Sequence, residues 1–152
     1  MRVYIDTSVI GGCMEDEFKE WSMRLMDELR EGRKQMVISA LTTEELEQAP
    51  KEVRAILTGF PAESVEIVDL TPQALDLAEA YIREGAVGPG CNADAQHIAV
   101  ATVARVDVLV SWNFKHIVNF RRIQLYNAVN LKQGYALIDI RTPREVLDEK
   151  GL

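Results

Sequence analysis

Four residues stand where this chain could do chemistry: Asp6, Glu45, Asp94 and Asn113. They fall just after apolar runs, or on helices that begin there. Carboxylates brought from such distant segments into one cavity repel one another unless a cation holds them. Hard oxygen ligands in that number suit Mg²⁺ or Mn²⁺. Such an ion activates water and stabilises the charge of phosphoryl displacement. Thr7 and Ser8 offer hydroxyls beside Asp6, to the cavity or to a local turn.

Each candidate also has an ordinary structural use. Asp6 could cap the turn that follows its apolar run. Thr42-Thr43-Glu44-Glu45 fits the capping box, Thr-x-x-Glu, which needs no function. Asp94 falls in a first helical turn, where the helix dipole favours an acid. His97 shares its face and is read as a core histidine bonded to backbone rather than a ligand. Glu44 and Glu47 read as solvated. Other chemistries lack their motifs. No second aspartate stands two residues after Asp6, as haloacid-dehalogenase phosphatases require. No phosphate-cradling G-x-x-x-x-G-K-[ST] or G-x-G-x-x-G occurs. No G-x-S-x-G elbow occurs, and two histidines leave a serine hydrolase little to work with.

The elements that must position these residues alternate along the chain. Apolar runs at Val3–Ile5, Met36–Ile38, Val65–Leu70, Asp107–Trp112 and Ala136–Ile140 predict strands. Between Glu15 and Arg30, Phe18, Trp21, Leu25, Met26 and Leu29 recur at helical spacing, and Gly32 stops the run. Helical patterns follow at Thr42–Gln48, at Val53–Leu57 on to Gly59, and from Thr71-Pro72 to Gly85. Asn92 is expected to cap a helix from Ala93 to Ala104, apolar on nearly all sides and so central. Phe120–Gln133 is helical, and Thr142-Pro143 opens a last short helix. Strands separated by helices predict an α/β three-layer sandwich with a central, mostly parallel sheet. Sites in such sheets lie beyond the carboxyl ends of the strands.

The order of these segments resembles a known family. Val3-Tyr4-Ile5-Asp6-Thr7-Ser8-Val9-Ile10 resembles the opening strand and first acid of PIN domains. Ser39-Ala40-Leu41-Thr42-Thr43-Glu44-Glu45-Leu46 resembles their second segment, a serine followed six residues later by Glu-Leu, which selects Glu45. Ala93-Asp94-Ala95-Gln96-His97-Ile98-Ala99-Val100-Ala101 is similar to the third, Asp-Ala-x-His-Ile-Ala. Val108-Leu109-Val110-Ser111-Trp112-Asn113-Phe114 sits where the family has Leu-Val-Thr-x-Asp. The resemblance implies a PIN-like fold and a Mg²⁺- or Mn²⁺-dependent ribonuclease. PIN domains cut single-stranded or loop RNA by metal-activated water, leaving a 5′-phosphate. Carried over, Asp6, Glu45 and Asp94 would be metal ligands. Asn113 departs from the family's aspartate; it offers a carbonyl oxygen but no charge, which weakens that position. Small stand-alone members look like the VapC-group toxins of type II toxin–antitoxin pairs, which commonly dimerise and are held by an antitoxin peptide. A catalytically weakened, PIN-like binding or regulatory module is the alternative.

Composition bounds the rest. The 152 residues are expected to form one domain over 1–152, with 47% hydrophobic and 27% charged residues, ordinary for a globular protein. No apolar run is long enough to span a membrane, and the N-terminus lacks the apolar stretch of a secretory signal. Cys13 and Cys91 form no disulfide or metal pattern, which fits a reducing cytoplasm. The net charge of −7 disfavours a broad phosphate-gripping surface. One segment runs against it. Trp112 to Arg122 carries Lys115, His116, Arg121 and Arg122 with aromatics between, a pattern that binds single strands; core aromatics with solvated cations would look the same. Trp21, Met26, Tyr81 and Ile82 exceed what one small sheet needs, so a homodimer is expected.

Overall fold

The structure, a computed structural model, describes residues 1–148; the last four positions of the domain expected over 1–152 lie outside them. In chain order the elements are β1 (Arg2–Ile5), α1 (Thr7–Gly12), α2 (Lys19–Arg30), β2 (Gln35–Ser39), α3 (Ala40–Glu47), α4 (Lys51–Thr58), β3 (Val65–Val68), α5 (Pro72–Arg83), α6 (Asn92–Val103), β4 (Val108–Val110), α7 (Phe120–Lys132), β5 (Ile140–Arg141) and α8 (Pro143–Val146), with a 3₁₀ turn at Ala62–Ser64. The five strands form one parallel sheet in the order β3-β2-β1-β4-β5. Helices cover both faces, so the expected three-layer α/β sandwich is what the chain forms.

The side-chain period of two sorts the apolar strand residues between the layers. Val3, Ile5, Met36, Ile38, Val108 and Val110 face the core built with α1 and α2. Tyr4, Val37 and Leu109 face the core built with α5, α6 and α7. With both faces covered, the strands read as continuous apolar runs rather than as alternation. In α6, seven of twelve residues are buried, from Ala95 to Thr102. This is the central helix that its composition implied. Its cap is Cys91, one residue before the expected Asn92.

Several elements differ from expectation for identifiable reasons. The segment after Asp6 is a helix, α1, that no periodic signal announced in six residues ending Gly11-Gly12. The helix expected from Glu15 begins at Lys19. The strand expected over Asp107–Trp112 is only Val108–Val110, because the Trp112 N–H donates to Ser8 Oγ (2.9 Å) instead of to a neighbouring strand. The strand expected over Ala136–Ile140 is reduced to Ile140–Arg141. There the Asn127 side-chain amide clasps Ile138, accepting from its N–H (2.8 Å) and donating to its carbonyl (3.1 Å). Asn127 thus satisfies backbone groups that a sheet partner would otherwise have to meet. The run at Val65–Leu70 stops at Val68, three residues before the α5 cap at Thr71.

Candidate functional site

All five strands run the same way, so their carboxyl ends share one edge. Asp6 follows β1, Ser39 ends β2, and Ser111 follows β4. Asp6 occupies the N-cap position of α1, but no capping bond is made by its side chain. Its oxygens instead accept from two hydroxyls, Ser8 Oγ (2.6 Å) and Ser111 Oγ (2.7 Å). The residue is 5% exposed. Burial pushes its carboxyl above the ordinary aspartate range, against the opposing pull of His97 and of those two hydroxyls.

Glu45 is held differently from the capping box expected at Thr42. The N-cap of α3 is Ser39: its hydroxyl accepts from the Leu41 N–H (3.2 Å), and Thr42 Oγ1 accepts from the Ser39 N–H (3.3 Å). Helix α3 therefore starts earlier than the Thr-x-x-Glu pattern implied, and Glu45 sits in its second turn, free of any capping duty. Thr7 Oγ1 and His97 Nε2 both donate to Glu45 Oε1, at 3.0 and 2.5 Å. The bond from His97 holds the Glu45 carboxyl below its ordinary range, outweighing the upward push of burial.

His97 is thus a core histidine, 3% exposed, but not one bonded to backbone. Its Nδ1 lies 2.7 Å from the Tyr4 hydroxyl, which lies 2.8 Å from Ser39 Oγ. Burial raises the Tyr4 phenol, so it stays protonated. One arrangement of protons satisfies every member: Ser39 donates to Tyr4, Tyr4 to His97 Nδ1, and His97 Nε2–H to Glu45. A buried chain of this kind fixes the rotamer of the carboxylate at its end. His97 and Tyr4 are positioning residues that sequence spacing alone did not assign. Tyr4 hid inside an apolar strand run, and its only signal was a hydroxyl on the α6-facing side.

Asp94 lies in the first turn of α6 and is half-buried. Burial raises its carboxyl, opposed by His116 and His97 and reinforced by the charge of Glu45. The two acids therefore feel one another. Asn113 reaches this group, but with its NH₂ and not its carbonyl. Nδ2 donates to Asp94 Oδ1 (3.1 Å), while Oδ1 accepts from the His116 N–H (2.9 Å). The backbone donor fixes which end is oxygen. The neutral oxygen expected at a metal is therefore committed to the loop. The three acids do not close tightly on their own. Among the described residues, the group of potential ligands whose atoms all lie within 4.8 Å of one another is Cys91, Asp94 and His116.

The basic segment divides. Lys115 and Arg121 are exposed and line a groove of about 540 Å³ with Gly85, Asn119, Arg122 and Leu125. Arg122 spends its guanidinium on backbone, donating to the Lys115 carbonyl (3.1 Å) and the Ala86 carbonyl (2.9 Å). His116 is half-buried and turned toward Asp94 and Cys91. Of the aromatics, Trp112 is core, stacked on Phe18 with ring centres 4.3 Å apart. Phe114 and Phe120 are 49% and 81% exposed. The residues behind the dimer expectation are not a free surface. Met26 and Tyr81 are buried in the protomer's own core, Ile82 packs against it, and Trp21 lies under Arg24 and Arg144.

Two solved structures are similar to this chain. One is VapBC2 from Rickettsia felis, bound to a DNA fragment from its promoter: TM-score 0.60, 15% identity, over 93% of this chain and 98% of that one. The other is FitAcB from Neisseria gonorrhoeae: TM-score 0.60, 14% identity, over 93% and 97%. No protein-family model and no curated protein matches the chain. The likeness at these identities is one of fold, and the fold is PIN-like, of the VapC type.

Proposed function

We propose that the protein, a single domain over 1–152, is a metal-dependent endoribonuclease that cuts single-stranded or loop RNA, and that it is the toxin of a type II toxin–antitoxin pair. One observation carries this reading. Asp6 follows β1, Glu45 lies on the helix after β2 and Asp94 in the first turn of α6, all toward the carboxyl edge of the sheet, and Glu45 is bonded to His97, which the buried Tyr4 hydroxyl orients. An all-oxygen acid set fits Mg²⁺ or Mn²⁺. Asp6, Glu45 and Asp94 would hold the ion, with Asn113 beside them, and the ion would supply activated water and charge stabilisation. The chain's own part is to fix the carboxylates and to present RNA, for which exposed Lys115 and Arg121, with Phe114 and Phe120, offer charge and stacking faces. The proposed partners are RNA, an antitoxin protein and a second copy of the chain. No helix among the described residues is long and apolar enough to cross a membrane.

The test is cleavage of single-stranded RNA with Mn²⁺, run beside a phosphomonoester. RNA cleavage that needs Mn²⁺ and disappears in Asp6→Asn supports the proposal. Hydrolysis of the monoester alone would make it a phosphatase. Equal cleavage by wild type and Asp6→Asn would point to a contaminating nuclease. A second reading, the weakened binding module, is favoured by the Asn113 amide turning a hydrogen-bond donor toward Asp94. RNA binding that persists with no cleavage in any divalent metal would decide for it.

A further inference from the structure

We propose that Cys91, Asp94 and His116 form a Zn²⁺ site that shares Asp94 with the acid cluster, so that zinc and the hard cation of the proposed nuclease exclude one another. One potential ligand atom from each residue lies within 4.8 Å of the other two. Tetrahedral zinc with bonds of about 2.0–2.3 Å sets its ligands roughly 3.5 Å apart, so side-chain movement on the order of an ångström closes the group. Cys91 is the N-cap of α6 and Asp94 lies one turn on, so a short stretch of one element supplies two ligands.

His116 supplies the third, from a loop pinned at two points. Its N–H donates to Asn113 Oδ1 (2.9 Å), and its carbonyl accepts from the Tyr126 hydroxyl (2.7 Å). Its ring Nδ1 is buried and has no hydrogen-bond partner among the described residues. A buried imidazole nitrogen is ordinarily satisfied, and coordination through Nδ1 would relieve the defect. Asn113 Nδ2 meanwhile donates to Asp94 Oδ1 (3.1 Å). An outer hydrogen bond of this type orients a ligating carboxylate. Asn113 therefore holds two of the three ligands, which gives the amide at this position a purpose that an aspartate would not serve.

The donor chemistry selects the metal. Thiolate and imidazole are poor ligands for Mg²⁺ and good ones for Zn²⁺. One thiolate, one carboxylate and a neutral imidazole cancel the charge of Zn²⁺ and leave a fourth position open to water. The thiol proton leaves to solvent on binding. Zinc is thus an off switch, because the carboxylate it takes is one that the hard cation needs.

The zinc site stands or falls apart from the nuclease reading, while the exclusion rests on that reading. Co²⁺ is the probe for the first, since thiolate ligation gives it a charge-transfer band in the near ultraviolet. The band should appear in the full chain on adding equimolar Co²⁺, vanish with excess Zn²⁺, and be lost in Cys91→Ser and in His116→Gln. It should survive Cys13→Ser. Zn²⁺ affinity should fall by at least roughly 10–100-fold in Cys91→Ser, the loss that even outer-shell changes cause. No band in wild type, or a band that survives Cys91→Ser, overturns the site. For the exclusion, Zn²⁺ should suppress Mn²⁺-dependent RNA cleavage in wild type at far lower concentration than in Cys91→Ser; equal sensitivity overturns it. A Co²⁺ band with no cleavage under any metal refutes the nuclease and leaves the zinc site standing.

Discussion

Asp6 shows how a buried carboxylate opposes the stability of its own protein. Its carboxyl is buried, and burial raises it against two hydroxyls and His97. A carboxyl raised by folding binds its proton more tightly in the folded state. Stability then falls as pH climbs from the ordinary aspartate value, about 3.9, through the raised one, and the ionised group is a net cost at neutral pH. Asn removes that cost, and the Ser8 and Ser111 hydroxyls can rotate to suit it. We therefore expect Asp6→Asn to melt higher than wild type at pH 7, with the gain shrinking as pH approaches 4, while cleavage falls to background. Melting curves across that range check it; a variant less stable than wild type at pH 7 would mean that the hydroxyl bonds outweigh burial. Asn113→Asp puts a carboxylate oxygen where Nδ2 now meets Asp94 at 3.1 Å. Without metal the two should repel and lower the melting temperature. With Mg²⁺ the added hard ligand should recover it and raise cleavage to or above wild type. Melting temperature read against Mg²⁺ concentration decides this, and a flat response in the variant would show that position 113 faces no cation.

At the scale of elements, α1 is the most exacting piece. It carries Thr7 and Ser8 to their acids and is clamped from behind by a three-part contact. Trp112 Nε1 donates to Ser22 Oγ (2.8 Å), and Ser22 Oγ donates to the Val9 carbonyl (2.8 Å). Gly12 makes this possible. A Cβ there would lie 2.7 Å from both Ser22 Oγ and Trp112 Nε1. Gly12→Ala gains at most about 0.8–1 kcal/mol of helix propensity, less at a helix end. Overpacking against a buried ring costs about 1–3 kcal/mol, and the Trp112–Ser22 bond is strained as well. Overpacking wins, and urea unfolding should show a net loss of about 1–2 kcal/mol. Unchanged stability would mean that the indole moves freely. The first helix was not legible from periodicity, because six residues with two glycines give no pattern to read. The start of α3 was misread for a related reason. Two overlapping caps, Ser39 with Thr42 and Thr42 with Glu45, fit the same local rule, and the buried Tyr4 hydroxyl beside Ser39 favours the first.

For the whole molecule, the balance of −7 means that RNA must be held locally if it is held at all. Lys115 and Arg121 are the exposed cations of the groove. Each single-strand phosphate contact contributes about 0.7 to the slope of log affinity against log salt, so replacing both by Ala should lower that slope by about 1.4. RNA affinity measured over a salt series tests this, and an unchanged slope would send the RNA elsewhere on the surface. Arg122→Ala should behave differently. Its guanidinium ties Lys115 to Ala86, so it should lose stability more than salt dependence. Pairing into a homodimer now rests on the resemblance to VapC-group toxins alone, since Met26 and Tyr81 are spent in the protomer's core. Sedimentation at micromolar concentration should show twice 17.1 kDa, and a species at 17.1 kDa alone would remove the dimer.

The sequence by itself determined the architecture. Apolar runs of strand length alternating with helical stripes can bury both kinds of surface only as a parallel sheet between two helical layers. That signal is local and repeated, so errors of a few residues at the ends of elements did not disturb it. Its four segments, in order, also marked Asp6, Glu45, Asp94 and Asn113 as the candidates for one edge of the sheet. What each side chain does there was decided by tertiary contacts between residues far apart in the chain. Tyr4 meets His97 across 93 positions, and His97 meets Glu45 across 52. A periodicity of 3.6 or 2 carries no information about such pairings. Nor could spacing show that Asn113 turns its donor to Asp94, because that depends on which end of the amide the His116 N–H claims first. His116 becomes a neighbour of Asp94 and Cys91 only because the loop after β4 reaches the start of α6, where Asn113 bonds both Asp94 and the His116 N–H.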